Sequence, residues 1–205
     1  MPQNVYLSYK AIKYIFNYYN MNPTFLVKKD KYQILKMGKN HYKTISLVEN
    51  KDLMMEKIIG FNLVQLMYQV NAQNYEQIKL DILNHSYADL YLLVKPIFKE
   101  FGISQRYGAF SIKRIDHPET NISVFQGLRN NELLEKYHNK SLKAEPLGMH
   151  TIHMECKLLD EHKMLVTQDM YFDDSNINNP LIEKAFTMLI KDNLKKVIAF
   201  IEAIH

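Results

Sequence analysis

Apolar residues recur along this chain with two different periods, and the changes of period mark its elements. From Ile152 to Leu158 they alternate. Ile152, Met154, Cys156 and Leu158 share one face, while Thr151, His153, Glu155 and Lys157 take the other, as in a strand with one buried side. Met164, Val166, Met170 and Phe172 repeat the pattern with Gln168 interrupting it, opposite Lys163, Thr167, Asp169 and Tyr171. Asp160 to Lys163 reads as the turn of a hairpin. Both apolar faces must meet one core, so even-numbered residues must pair with even-numbered ones. That parity predicts an odd loop of three or five residues and excludes a two-residue turn. The same alternation places His150 and His153 on opposite faces.

Beyond the hairpin the period lengthens. Asn179 is a good N-cap and Pro180 suits the first helical position. Ile182, Ala185, Phe186, Leu189, Leu194, Val197, Ile198 and Ile201 then follow helical spacing, forming an apolar stripe that needs a sheet to cover it.

Earlier in the chain, Tyr9, Ile12, Phe16 and Tyr19 predict a helix over 5–19. Thr24 to Val48 reads as strands, and Lys51 to Val70 as a helix with Gly60 inside it. Tyr75 to Phe101 reads as a second helical stretch, divided near Asn84-His85-Ser86 and ended by Pro96 and Gly102. Arg106 to Ile115 and Ile122 to Leu128 form another hairpin, and a short helix is predicted around Leu133 to His138. The expected fold class is α+β, an antiparallel sheet built from hairpins and packed by a long amphipathic C-terminal helix and two or three further helices. One such domain over 1–205 is expected, with 71–74 or 102–105 as the places where it would divide.

Composition narrows the class. Hydrophobic residues at 47% and charged residues at 23% are those of an ordinary globular chain. The single cysteine, Cys156, lies on a predicted buried face, so an intrachain disulfide is excluded and a reducing, cytoplasmic setting is expected. No apolar run reaches membrane-spanning length, and the first residues lack the pattern of a signal peptide. Charge is local: Lys28, Lys29, Lys31, Lys36, Lys39 and Lys43 against Asp30 make this stretch +5, whereas the whole chain is +4. Such a stretch fits an anionic partner or nucleic acid, but better an edge strand or solvated face guarded by lysines.

The side chains that point to chemistry are His153, Glu155, Asp169 and Tyr171, which share the non-core face of the hairpin. Pairing places His153 or Glu155 opposite Asp169, an arrangement suited to general acid–base work. His150, His153 and Cys156 fit metal poorly, because neighbours three apart on a strand point to opposite sides. No phosphate-binding glycine loop, nucleophile elbow or zinc motif is present, so no metal and no cofactor is expected.

Three functions follow. The first is a non-enzymatic interaction or adaptor protein, with a protein partner or a second copy of the chain. The alternative is binding of an apolar small molecule, or a cavity enzyme, in a pocket between sheet and C-terminal helix, where eleven methionines would make an adaptable lining. A second alternative is nucleic-acid binding through 28–43.

Overall fold

A computed structural model describes residues 23–96, 103–138, 143–173 and 179–204. The helix expected over 5–19 lies outside the described residues. Ten strands form one sheet: β1 (Thr24–Lys28), β2 (Tyr32–Gly38), β3 (His41–Glu49), β4 (Tyr75–Ile82), β5 (Tyr87–Val94), β6 (Gln105–His117), β7 (Ile122–Arg129), β8 (Ala144–Pro146), β9 (Met149–Asp160) and β10 (Lys163–Phe172). Among the described residues three α-helices accompany them: α1 (Phe61–Val70), α2 (Asn131–Tyr137) and α3 (Pro180–Glu202). The order across the sheet is β1-β2-β3-β10-β9-β7-β6-β5-β4, every one of these pairs antiparallel, with β8 added in parallel to β6. The expected fold class, an antiparallel sheet of hairpins packed by a long C-terminal helix, is the one observed.

α3 begins as its sequence predicts, with Asn179 accepting from the Leu181 amide at 2.9 Å and Pro180 in the first turn. Its apolar stripe and that of α1 cover one face of the sheet. There Tyr42, Leu92, Phe110, Met154, Met170, Val197 and Ile201 belong to one core. The opposite face carries a smaller cluster, Tyr91, Leu93 and Ala109, against Leu133 of α2.

Three expectations are corrected. The stretch from Tyr75 to Val94 is the β4–β5 hairpin, not a helix; residues 97–101 lie outside the described region. In β5 the inner face buries Leu90, Leu92 and Val94 and the outer face buries Tyr91 and Leu93. A strand buried on both faces reads as a continuous apolar run, which periodicity alone does not separate from a helix. Second, Lys51 to Val70 is not one helix. A 3-10 turn at Met55–Lys57 precedes Gly60, which has φ +156° and sits just before α1. A Cβ at Gly60 would lie 3.0 Å from Arg114 Nη1, so both backbone and packing favour glycine there.

Third, the β9–β10 connection is a two-residue turn, Glu161-His162, closed by Asp160 opposite Lys163. A bulge follows, and Met164 pairs with Leu158, Val166 with Cys156 and Gln168 with Met154. The even-with-even parity is kept, but a bulge rather than a longer loop supplies the extra residue. Another register shift, between Tyr171 and Phe172, pairs Phe172 with Met149. This buries Met149 and turns His150 toward Tyr171, against the alternation that had separated His150 from His153.

Candidate functional site

Two small cavities lie between the helices and the inner face of the sheet, and β10 links them. The outer one, about 60 Å³, is walled by Val94, Leu147 and Phe172 from the sheet side and by Ile182, Phe186 and Leu189 of α3. Lys95 and Arg106 also border it; Arg106 pairs with Glu145 at 2.8 Å and donates to the Pro146 carbonyl at 3.1 Å. The inner cavity, about 40 Å³, is roofed by Val64, Met67 and Tyr68 of α1 over Leu90, Phe125 and Gln168 of the sheet. The expected pocket beneath α3 is thus shared between two helices.

Strand periodicity explains the alignment. Along β10, Gln168 faces the inner cavity and Phe172 the outer one, and along β5, Leu90 and Val94 do the same. The residues midway, Met170 and Leu92, are buried in the core between them. Two residues of strand span about 6.8 Å, so one buried layer separates the chambers.

Aromatic rings cluster beside the outer cavity. Phe172 and Phe186 meet edge-to-face at 5.1 Å, and Tyr42 packs on both, at 5.8 and 5.4 Å. The Tyr42 hydroxyl donates to Glu183 of α3 at 2.8 Å, and Lys36 pairs with the same carboxylate at 2.6 Å. Burial and the adjacent Glu183 push the Tyr42 hydroxyl well above the usual tyrosine range. Partial burial opposes ionisation of Glu183, but hydrogen bonds from Lys36 and Tyr42 outweigh it and hold its carboxyl below the ordinary value.

At the other end α3 is pinned by Asn50, whose amide donates to the carbonyls of Ile201 at 2.5 Å and Ile204 at 2.8 Å. Its side-chain oxygen accepts from the amides of Asp52 and Leu53. A wide polar groove of about 810 Å³ lies beside this end, bordered by Glu49, Lys51, Asp160, His162 and Glu202. Its walls are bridged by Lys163–Glu49 at 3.2 Å and Lys31–Glu202 at 2.5 Å, and it does not reach the apolar core. Its charged lining is that of a surface groove rather than of a ligand pocket.

The side chains singled out for acid–base work lie on the outer face of the sheet, away from both cavities. Asp169 is opposite His153 in register, yet its carboxylate is held by β3: His41 Nε2 at 2.6 Å and Lys43 Nζ at 2.8 Å. Desolvation raises the Asp169 carboxyl, but these two partners outweigh it and the net shift is downward. Tyr171 stacks on His41 at 4.3 Å, and Glu155 lies opposite Thr167 on one side and Val124 on the other. Cys156 is fully buried, and burial pushes its thiol up to about 12. Among the described residues no group of three or more His, Cys, Asp or Glu is arranged to hold a metal.

The lysines of 28–43 are distributed rather than gathered. Lys36 faces α3 through Glu183, Lys43 sits on the opposite face with Asp169, and Lys31 reaches Glu202. Lys28 stands over the Phe25 ring at 5.3 Å on β1, an edge strand. Among the described residues no helix is long and apolar enough to cross a membrane.

Gln168 was legible as the one polar break in an apolar strand face. Tyr68 and Met67 were not, because their place over the cavity depends on how α1 docks.

No family model and no curated protein matches the sequence. Solved structures do match the fold. The human StarD13 (DLC2) lipid transfer and protein localization domain superposes with a TM-score of 0.66 at 12% identity, covering 100% of this chain and 99% of that one. A STAR-related lipid transfer protein from Xanthomonas axonopodis gives 0.64 at 8% identity, over 87% of this chain and 98% of its own. Human StAR-related lipid transfer protein 5 gives 0.58 at 10% identity, over 96% of each. At such identities the likeness establishes architecture alone: the chain has the helix-grip fold of StAR-related lipid transfer domains, a curved antiparallel sheet closed around a long C-terminal helix.

Proposed function

We propose that this chain binds one apolar small molecule, of lipid-like character, in the space between α1, α3 and the inner face of the sheet. The observation that carries the reading is the alignment of two apolar-walled cavities along β10 and β5 beneath both helices. The helix-grip architecture, which this chain shares with domains named for lipid transfer, adds support at the level of fold.

At about 60 and 40 Å³ the cavities are closed relative to ligand sites of roughly 300–1,000 Å³. Binding therefore requires widening. Met67, Met154 and Met170 supply unbranched side chains that repack readily. The N-terminal half of α3 is held to β2 and β3 through Glu183, whereas its C-terminal end is tied by the buried Asn50. An adaptor role draws on no comparable feature. Uptake of an uncharged, environment-sensitive dye by the delipidated chain tests the reading: saturable one-to-one binding supports it, and its absence overturns it.

A further inference from the structure

The inner cavity contains more than apolar walls. Gln168 of β10 and Tyr68 of α1 both line it, amid Val64, Met67, Leu90 and Phe125. Among the described residues neither the Gln168 amide nor the Tyr68 hydroxyl has a hydrogen-bond partner within the protein. Nearby, Asn193 of α3 is bonded by Asn74 at 2.7 Å and itself donates to the Tyr75 hydroxyl at 3.2 Å. An amide on a core-facing strand position is costly to leave unpaired. Replacing it by leucine would continue the apolar face that Val166 and Met170 set. Among the described residues no Asp, Glu, Lys, Arg or His borders this cavity, and Arg114, 5.8 Å from the Phe125 ring centroid, is already paired with Asp116, so a charged group placed there would lose its hydration without gaining a free counter-charge.

We infer that the inner cavity is the head-group subsite for an electrically neutral ligand, whose one hydroxyl or carbonyl is hydrogen-bonded by the Gln168 amide and the Tyr68 hydroxyl. The inference rests on the ligand-binding reading above and adds to it the class of ligand and its direction. The polar end lies under α1, and the apolar tail passes Met170 and Leu92 toward Phe172 and Phe186. Gln168 suits this task because its amide both donates and accepts, and the tyrosine hydroxyl does likewise, so alcohol and carbonyl heads are both served.

The test titrates three probes with one tail, 1-octanol, octanoate and octylammonium, into the full chain at neutral pH, following the methionine methyl signals. The inference expects octanol to bind at least tenfold more tightly than either charged probe. It expects Gln168→Leu and Tyr68→Phe each to weaken octanol about threefold to tenfold, the effect of one lost hydrogen bond. Both substitutions are near in shape to the native residue, and unchanged methyl spectra of the free variants report that the fold is kept. Equal or tighter binding of a charged probe overturns the neutral-ligand subsite while leaving the ligand-binding reading standing. So does octanol binding that neither substitution changes, as when the two groups hold only a water. If none of the three probes binds, the ligand-binding reading fails, and this inference with it.

Discussion

The Asn50 side chain closes the C-terminal end of α3, donating to the Ile201 carbonyl at 2.5 Å while being only 4% exposed itself. Helix ends leave carbonyls without partners, and here a residue 151 positions away in sequence supplies them. The opposite end of the same helix is held by Glu183 against the buried Tyr42 and against Lys36, an ion pair that is partly solvated. The helix is therefore fastened unequally.

Asn50→Ala removes four hydrogen bonds at once and strands buried backbone groups. A loss of about 2–4 kcal/mol in unfolding free energy is expected from denaturant titration. A change below about 0.5 kcal/mol would show that the contact does not secure the helix.

Glu183→Gln weakens the other fastening. Exposed ion pairs contribute about 0–1 kcal/mol, so global stability changes little. Amide hydrogen exchange in residues 183–190 is expected to accelerate while that of 195–202 stays slow. Equal acceleration along the helix would rule out an unequal attachment.

Met170→Ala thins the layer that Met170 and Leu92 form between the two cavities. A Met→Ala change in a core lowers stability by about 2–5 kcal/mol. Uptake of an apolar dye is nevertheless expected to strengthen, since the vacated volume adjoins both chambers. Weaker uptake by a folded variant would place the ligand elsewhere.

Asp169 gives a pH dependence of definite sign. Its folded-state carboxyl is held below the ordinary value: desolvation raises it, and the His41 and Lys43 contacts lower it by more. A depressed carboxyl contributes stability that is present above the unfolded value of about 3.9 and is lost as the pH falls through the folded value. Asp116, Glu183 and Asp192 shift the same way. Denaturation midpoints should fall as the pH is lowered from about 5 to 2, and Asp169→Asn should flatten that fall. An identical pH profile for the variant would deny Asp169 its part.

Burial makes Cys156 inert. A thiol reagent added to native protein should react only after denaturant is supplied, because the buried thiol stays protonated. Rapid reaction of the folded chain would contradict the placement of β9 in the core.

Much of the architecture was readable from residue order. The period-two faces of β9 and β10, the Asn179-Pro180 start of α3 and its apolar stripe all appear where patterning puts them, because each has one apolar and one more polar side. The β4–β5 hairpin was not readable, since Leu90 to Val94 is dry on both sides and only α2, docked on the outer face, explains why. Bulges at Lys163 and Tyr171 are likewise tertiary adjustments: they keep Cys156 inward and send His150 outward, and no local pattern announces them. Of the cavity, Gln168 showed itself as an anomaly in an apolar face. Its partner Tyr68 could not, because a tyrosine at helical spacing is an ordinary core residue until the roof over β10 is seen.

The central claim is that an apolar molecule enters between the helices and the sheet, and methionine methyl spectroscopy tests it most directly. Met154 and Met170 are buried, whereas Met54 is 37% and Met188 is 47% exposed. Titrating the delipidated, methyl-labelled chain with 1-octanol is predicted to shift Met67, Met154 and Met170 saturably and to leave Met54 and Met188 nearly unmoved. Shifts confined to Met54 and Met188, or no saturable shift at all, would contradict the account.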